Sequence, residues 1–310
     1  MSFIHLTGSH TGSLVTSKVY QTLDEYDLKK RLFCITGDNA ANNLTMARHL
    51  SSQLAIKDNI VWDPDINYIP CFAHVINLVV QKFIKTVIVT PGDDDEGNID
   101  TGNGDDVTFD IGDDDLAFGG IISKLRAIAN SIRGSSCRWK LFEQAYRSCK
   151  ITAAIIPQDV AIRWNSTFRM LQDSIYLKRP IRRYINDLGD TFEQLVLTEC
   201  EWQQAEVLLL FLLPFQRCTS RFESNNTTPE IDYVFFAYDT LYNHIDDVKD
   251  KLRSGSGLGV LLCAPFMLTA IEQMENVLRK YYEKTHFPTV YRDAMILNPL
   301  AKLRIFDEEM

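Results

Sequence analysis

No apolar run in this 310-residue sequence approaches membrane-spanning length. The longest, Val207 to Leu213, falls far short of the roughly 18 residues a spanning helix needs. Met1-Ser2-Phe3-Ile4-His5-Leu6 lacks the basic stretch and long apolar core of a secretory signal. Cysteine is scarce and unpatterned: seven residues, at 34, 71, 137, 149, 200, 218 and 263, follow no disulfide-framework spacing. A reducing intracellular compartment is therefore expected. Positive charge is also short, with 32 Lys and Arg against 41 Asp and Glu. What remains is ordinary soluble-protein material, 45% hydrophobic and 24% charged, in a chain long enough for one large domain or two smaller ones.

The net charge of −9 argues against a DNA-binding surface until its location is considered. Between Asp93 and Asp115 stand ten Asp and one Glu with no Lys or Arg, and without them the remainder carries +2. Charges this dense repel one another, and Gly92, Gly97, Gly102, Gly104 and Gly112 add backbone freedom. Residues 90–118 thus read as a disordered acidic loop set into an ordered domain. The functional alternative is an acidic module that competes with DNA.

Strand and helix signals alternate in the first part of the chain. Residues 3–6 form a short strand candidate. Thr11 is placed to cap a helix to about Tyr26, since Leu14, Val15, Val19, Leu23 and Tyr26 recur at helical spacing. A buried strand over 31–36, a helix from Asn39 to about Ile56, a strand over 68–71 and a helix from Phe72 to about Lys85 follow. This order predicts an α/β sheet domain. Beyond the acidic loop come helices over 121–132, 139–149 and 166–185. From Thr198 onward no strand is predicted. Thr198 and Glu201 have the spacing of a capping box, opening a helix towards Phe215. Further helices are expected over 231–252 and 264–282, joined by the flexible Ser254–Gly259.

Three short constellations carry chemistry. Asp38 ends the apolar run Phe33-Cys34-Ile35-Thr36-Gly37 and precedes a helix, which puts a carboxylate at a sheet edge where ligands bind. The plainer reading is a helix cap. Cys71 and His74 form a Cys-x-x-His pair on one helix face, half of a zinc site with no matching second pair. The plainer reading there is a half-buried polar residue on an amphipathic helix. Arg163-Trp164 combines a guanidinium that grips phosphate with a ring that stacks on an unpaired base. Alternatively Trp164 is core and Arg163 solvated.

In this order, Ile35-Thr36-Gly37-Asp38-Asn39-Ala40, Ile69-Pro70-Cys71-Phe72-Ala73-His74 and Gln158-Asp159-Val160-Ala161-Ile162-Arg163-Trp164-Asn165-Ser166-Thr167 resemble the catalytic motifs of hAT-type DNA transposases, the hobo–Activator superfamily. Leu197–Trp202, Leu213–Phe215 with Thr219, Asn226–Pro229 and Ala294–Lys302 resemble the family's all-α insertion and the stretch that follows it. The resemblance implies a ribonuclease H-like α/β domain over about 1–190, an all-helical insertion over about 191–295, and a return to the first domain over 296–310. It further implies an Asp-Asp-Glu triad in which Asp38 is the second carboxylate and a metal ligand for Mg²⁺ or Mn²⁺. His74, Arg163 and Trp164 become DNA contacts, and Cys71 and Asp159 supporting residues.

Two features depart from the family pattern. Ile162 stands where a Thr is usual. The first Asp belongs to a strand ahead of Phe3–Gly12, and no position here is assignable to the triad Glu. The intact family cuts and joins DNA; one carboxylate does not hold the metals stably, so this chain alone is expected to be inactive. The implied partners are transposon-end and target DNA and a second copy of the chain, with no membrane or small-molecule substrate, in the nucleus. The other readings are a domesticated DNA- or chromatin-binding protein, with Lys178, Arg179, Arg182 and Arg183 as its basic surface, and a helical protein-interaction module.

Overall fold

A computed structural model describes residues 11–38, 40–88, 118–152, 156, 163–223, 231–254 and 264–298. The acidic loop, the strand candidate at 3–6 and most of the Ser254–Gly259 linker lie outside these residues. In chain order the elements are α1 (Gly12–Glu25), β1 (Ile35–Gly37), α2 (Ala41–Asp58), α3 (Pro64–Asn67), β2 (Tyr68–Pro70), α4 (Phe72–Ile88) and α5 (Phe118–Arg133). Then follow α6 (Ser136–Ser148), α7 (Trp164–Tyr176), α8 (Lys178–Leu188), α9 (Glu199–Glu223), α10 (Val234–Arg253), α11 (Ala264–Glu283) and α12 (Val290–Leu297). Two compact units emerge: one from residues within 1–76, 218–239 and 278–310, the other from residues within 77–217 and 240–277.

The first unit holds the described strands. β1 and β2 pair in parallel, with Ile35 opposite Tyr68 and Gly37 opposite Pro70. Among the described residues this pair is the whole sheet, so helices dominate and the predicted strand–helix alternation survives only from β1 to α4. The predicted 31–36 strand contracts because Lys29–Arg31 forms a 3-10 turn. Lys29 there is tied to Asp24 at 2.6 Å and Asp58 at 2.7 Å. Thr11 does cap α1, its hydroxyl accepting from the Leu14 amide at 3.4 Å. α1 lies so close to α2 that a Cβ on Gly12 would stand 2.8 Å from the Thr45 Cβ. Leu23, Met46, Leu50, Leu54, Trp62 and Tyr68 form the core behind the strands. A second aromatic cluster sets Phe72 edge-on to Phe222 and Tyr238, at 4.7 and 4.9 Å between ring centres.

The second unit is built of helices, with no strand among its described residues. Ile121, Leu125, Ile128 and Ile132 recur every three or four positions on α5 and are buried, as a one-sided helix requires. The Ser131 and Tyr184 hydroxyls meet at 2.9 Å within this core. The capping box forms: the Glu201 amide donates to the Thr198 hydroxyl, while the Glu201 carboxylate accepts from the Thr198 amide. The predicted 166–185 helix is instead two helices, α7 and α8, breaking at Leu177. Pro180 explains the break. Its ring would clash with the carbonyl four residues back, at Tyr176, so it fits only in the first turn of a new helix.

Candidate functional site

Asp38 follows β1 directly, and Cys71 follows β2, so both leave the sheet at its carboxyl end. The Cys71 amide donates to the Gly37 carbonyl at 2.8 Å, carrying the pairing one step further. Asp38 is exposed. One carboxylate oxygen, Oδ1, accepts from the Ala40 amide at 3.0 Å and from the Asn43 side-chain amide at 2.6 Å. Ala40, not Asp38, is the N-cap of α2, so the carboxylate tightens the approach to the helix rather than capping it. The backbone of Asp38 is held separately, its carbonyl accepting the Tyr68 hydroxyl at 2.6 Å. Burial above all, then the charges of Asp38 and Cys71, push the Tyr68 phenol up to about 12. It therefore stays protonated and donating at physiological pH. His74 is half-buried in the first turn of α4, one turn beyond Cys71.

Arg163 and Trp164 belong to the second unit. Arg163 is exposed at the N-cap of α7, its carbonyl accepting the Ser166 hydroxyl at 2.6 Å. Trp164 is only 1% exposed and lies edge-on to Phe168. Its amide donates to the Asn77 side chain at 3.3 Å, and its indole N–H meets no acceptor among the described residues. Trp164 is a core residue here, and stacking on a base would first require uncovering the ring. Asp159 lies outside the described residues. The sequence pattern begins this helix at Ser166, two residues late; the roles of Tyr68 and Asn77 are not legible in it, because each bonds a residue distant in sequence.

Residues 69–211 match the family model of the ZBED1 RNase-like helical domain, and residues 1–65 match that of the ZBED1 RNase-like domain. A Talaromyces stipitatus protein named as a candidate transcriptional regulator, tpeD, is 32% identical over 81% of this chain and 29% of its own length. A candidate AC transposase of Zea mays is 24% identical over 69% of this chain and 23% of its own. The zinc finger BED domain-containing protein RICESLEEPER 1 of Oryza sativa subsp. japonica is 21% identical over 99% of this chain and 36% of its own. The chain belongs to the hAT-type, transposase-related proteins. It spans little more than a third, at most, of the length of these relatives.

Metal chemistry in such a protein needs carboxylates converging from several positions, because two ions about 4 Å apart share the reacting phosphate. Among the described residues of the hAT-type chain, no three His, Cys, Asp or Glu side chains come together to hold an ion. At the carboxyl end of the sheet the motif supplies Asp38, a thiol and an imidazole. These donors do not fit a resident Mg²⁺ or Mn²⁺ pair. The basic residues of α8 are partly engaged: Lys178 and Arg182 both reach Glu199 at 2.6 Å, and Arg183 approaches Asp187 at 4.0 Å. Arg179 is exposed.

Proposed function

We propose that this transposase-derived chain is a nuclear DNA-binding protein that, acting alone, binds DNA without cutting it. Its ribonuclease H-like part, about 1–190, carries the Asp38, Cys71 and His74 end of the sheet. A helical insertion follows over about 191–295. The observation that carries this reading is the state of Asp38: an exposed carboxylate at the end of a parallel strand, clamped through Oδ1 by Ala40 and Asn43. In the intact family such a carboxylate serves metal-dependent strand cleavage and transfer. Among the described residues it stands with a thiol and an imidazole rather than with further carboxylates, which supports binding by the neighbouring residues without strand cleavage. The name of tpeD, a regulator of transcription, favours the same non-cutting use of the scaffold. Arg163 and His74 are the DNA contacts proposed with it, and Trp164 the residue that holds the start of α7 in place.

The test is direct. The chain is incubated with Mg²⁺ or Mn²⁺ and intact or nicked element-end DNA, alongside Asp38→Ala. Retarded but uncut DNA is expected for both proteins. Strand cleavage that disappears in Asp38→Ala would overturn the proposal.

A further inference from the structure

We propose that a cleft within the first unit, between β2 and the segment after α11, takes one unpaired nucleotide of a single DNA strand, its base on Phe287 and its phosphate on Lys284. The inference rests on the DNA-binding reading above and adds to it a place and a class of ligand. The cleft encloses about 540 Å³, within the range of small-molecule sites. Tyr68, Pro70, Tyr281 and Phe287 are among its walls, and Lys284 and Asp65 are its charged groups.

A nucleotide asks three things of a protein: an aromatic face, a cation and an acceptor for its base edge. The cleft offers each. Phe287 is 71% exposed, and Leu44 and Ile66 in the same lining are also more than a third exposed. An open ring beside other exposed apolar groups forms a patch rather than scattered surface residues. The Lys284 ammonium stands 5.0 Å from the centre of the Tyr281 ring, which steadies the cation without burying it. Asp65 can accept from the exocyclic amine of a base. Its charge also repels a further phosphate, so the cleft suits one splayed nucleotide better than a duplex backbone. The Tyr68 wall, finally, is hydrogen-bonded to the Asp38 carbonyl. A nucleotide in the cleft therefore lies beside the segment that carries the Asp38 carboxylate.

The whole chain is titrated at low salt with a labelled single strand containing 2-aminopurine and with the matching duplex, and its sedimentation is followed in parallel. Phe287→Ala is expected to weaken single-strand binding about 5- to 100-fold and to abolish 2-aminopurine quenching. Phe287→Leu, which keeps apolar surface but no π-face, should lose as much, Phe287→Trp should retain binding, and duplex affinity should not change. Equal single-strand affinity in wild type and Phe287→Ala overturns the cleft proposal and leaves the DNA reading standing. No binding of either DNA by the wild type overturns both. Altered sedimentation of Phe287→Ala with unaltered DNA affinity would assign the cleft to a second copy of the chain instead.

Discussion

Gly37 holds its position because Tyr68 occupies the space a side chain would need. A Cβ there would overlap the Tyr68 hydroxyl, the group that donates to the Asp38 carbonyl. Gly37→Ala should displace the phenol, strand that carbonyl and destabilise the first unit by about 1–3 kcal/mol, visible as a lowered thermal midpoint. In the Tyr68→Phe background the same substitution has less to displace, so the double variant should cost measurably less than the sum of the singles. Additive losses would mean that the overlap is relieved elsewhere. Asn43 makes the matching point for the side chain. It sits five residues beyond Asp38, on the first turn of α2, and reaches back to Oδ1 at 2.6 Å. One residue thus fixes the backbone of Asp38 and another fixes its carboxylate.

Between elements of the second unit, His244 of α10 makes a pH-sensitive contact. Its ring bonds the Phe211 carbonyl of α9 at 2.9 Å and stacks on the Phe211 ring. Burial holds the imidazole below its ordinary 6.5, opposed by the Phe211 carbonyl and the charge of Asp247. Between the folded and unfolded values the unfolded chain binds the proton and the folded chain does not. His244 therefore favours folding above about pH 6.5, and that advantage is lost as pH falls through the depressed folded value. His244→Gln should flatten the acid-side decline of the urea midpoint that begins near pH 6.5; an unchanged decline would exclude His244 as its source. This bond was not legible in the sequence, because it joins positions 33 apart. The capping box at Thr198 and the Thr11 cap were legible, since each spans only three residues. The α7–α8 break was missed because apolar spacing continues through Leu177 and only Pro180 records the stop. For the same reason Asp38 could be found from one strand, while Tyr68, brought to it by parallel pairing, could not. The burial of Trp164 depends on packing partners that no local pattern specifies.

At the scale of the whole molecule, charge decides how DNA is met. The chain as a whole carries −9, yet more than that excess is concentrated between Asp93 and Asp115, and the remainder is near neutral with a small positive balance. Affinity must then come from local arrangement rather than net charge, and it should fall steeply with salt as cations replace counterions on the phosphates. On α8 that arrangement is held back by one residue. Glu199 binds both Lys178 and Arg182, and the Lys178 bond, followed by that of Arg182, keeps its carboxyl below the usual range. All three side chains are at least partly exposed, so the pairs are screened and cost little to separate. DNA phosphates compete with the Glu199 carboxylate for the same cations. Glu199→Gln removes the internal competitor, so it should tighten DNA binding at low salt. If both cations then reach phosphates, the slope of log affinity against log salt should steepen by up to about 2. Arg182→Gln in the same background should return part of that slope. Identical slopes in wild type, Glu199→Gln and the double variant would remove α8 from the DNA-facing surface, leaving Arg163 and the Phe287 cleft to carry the interaction.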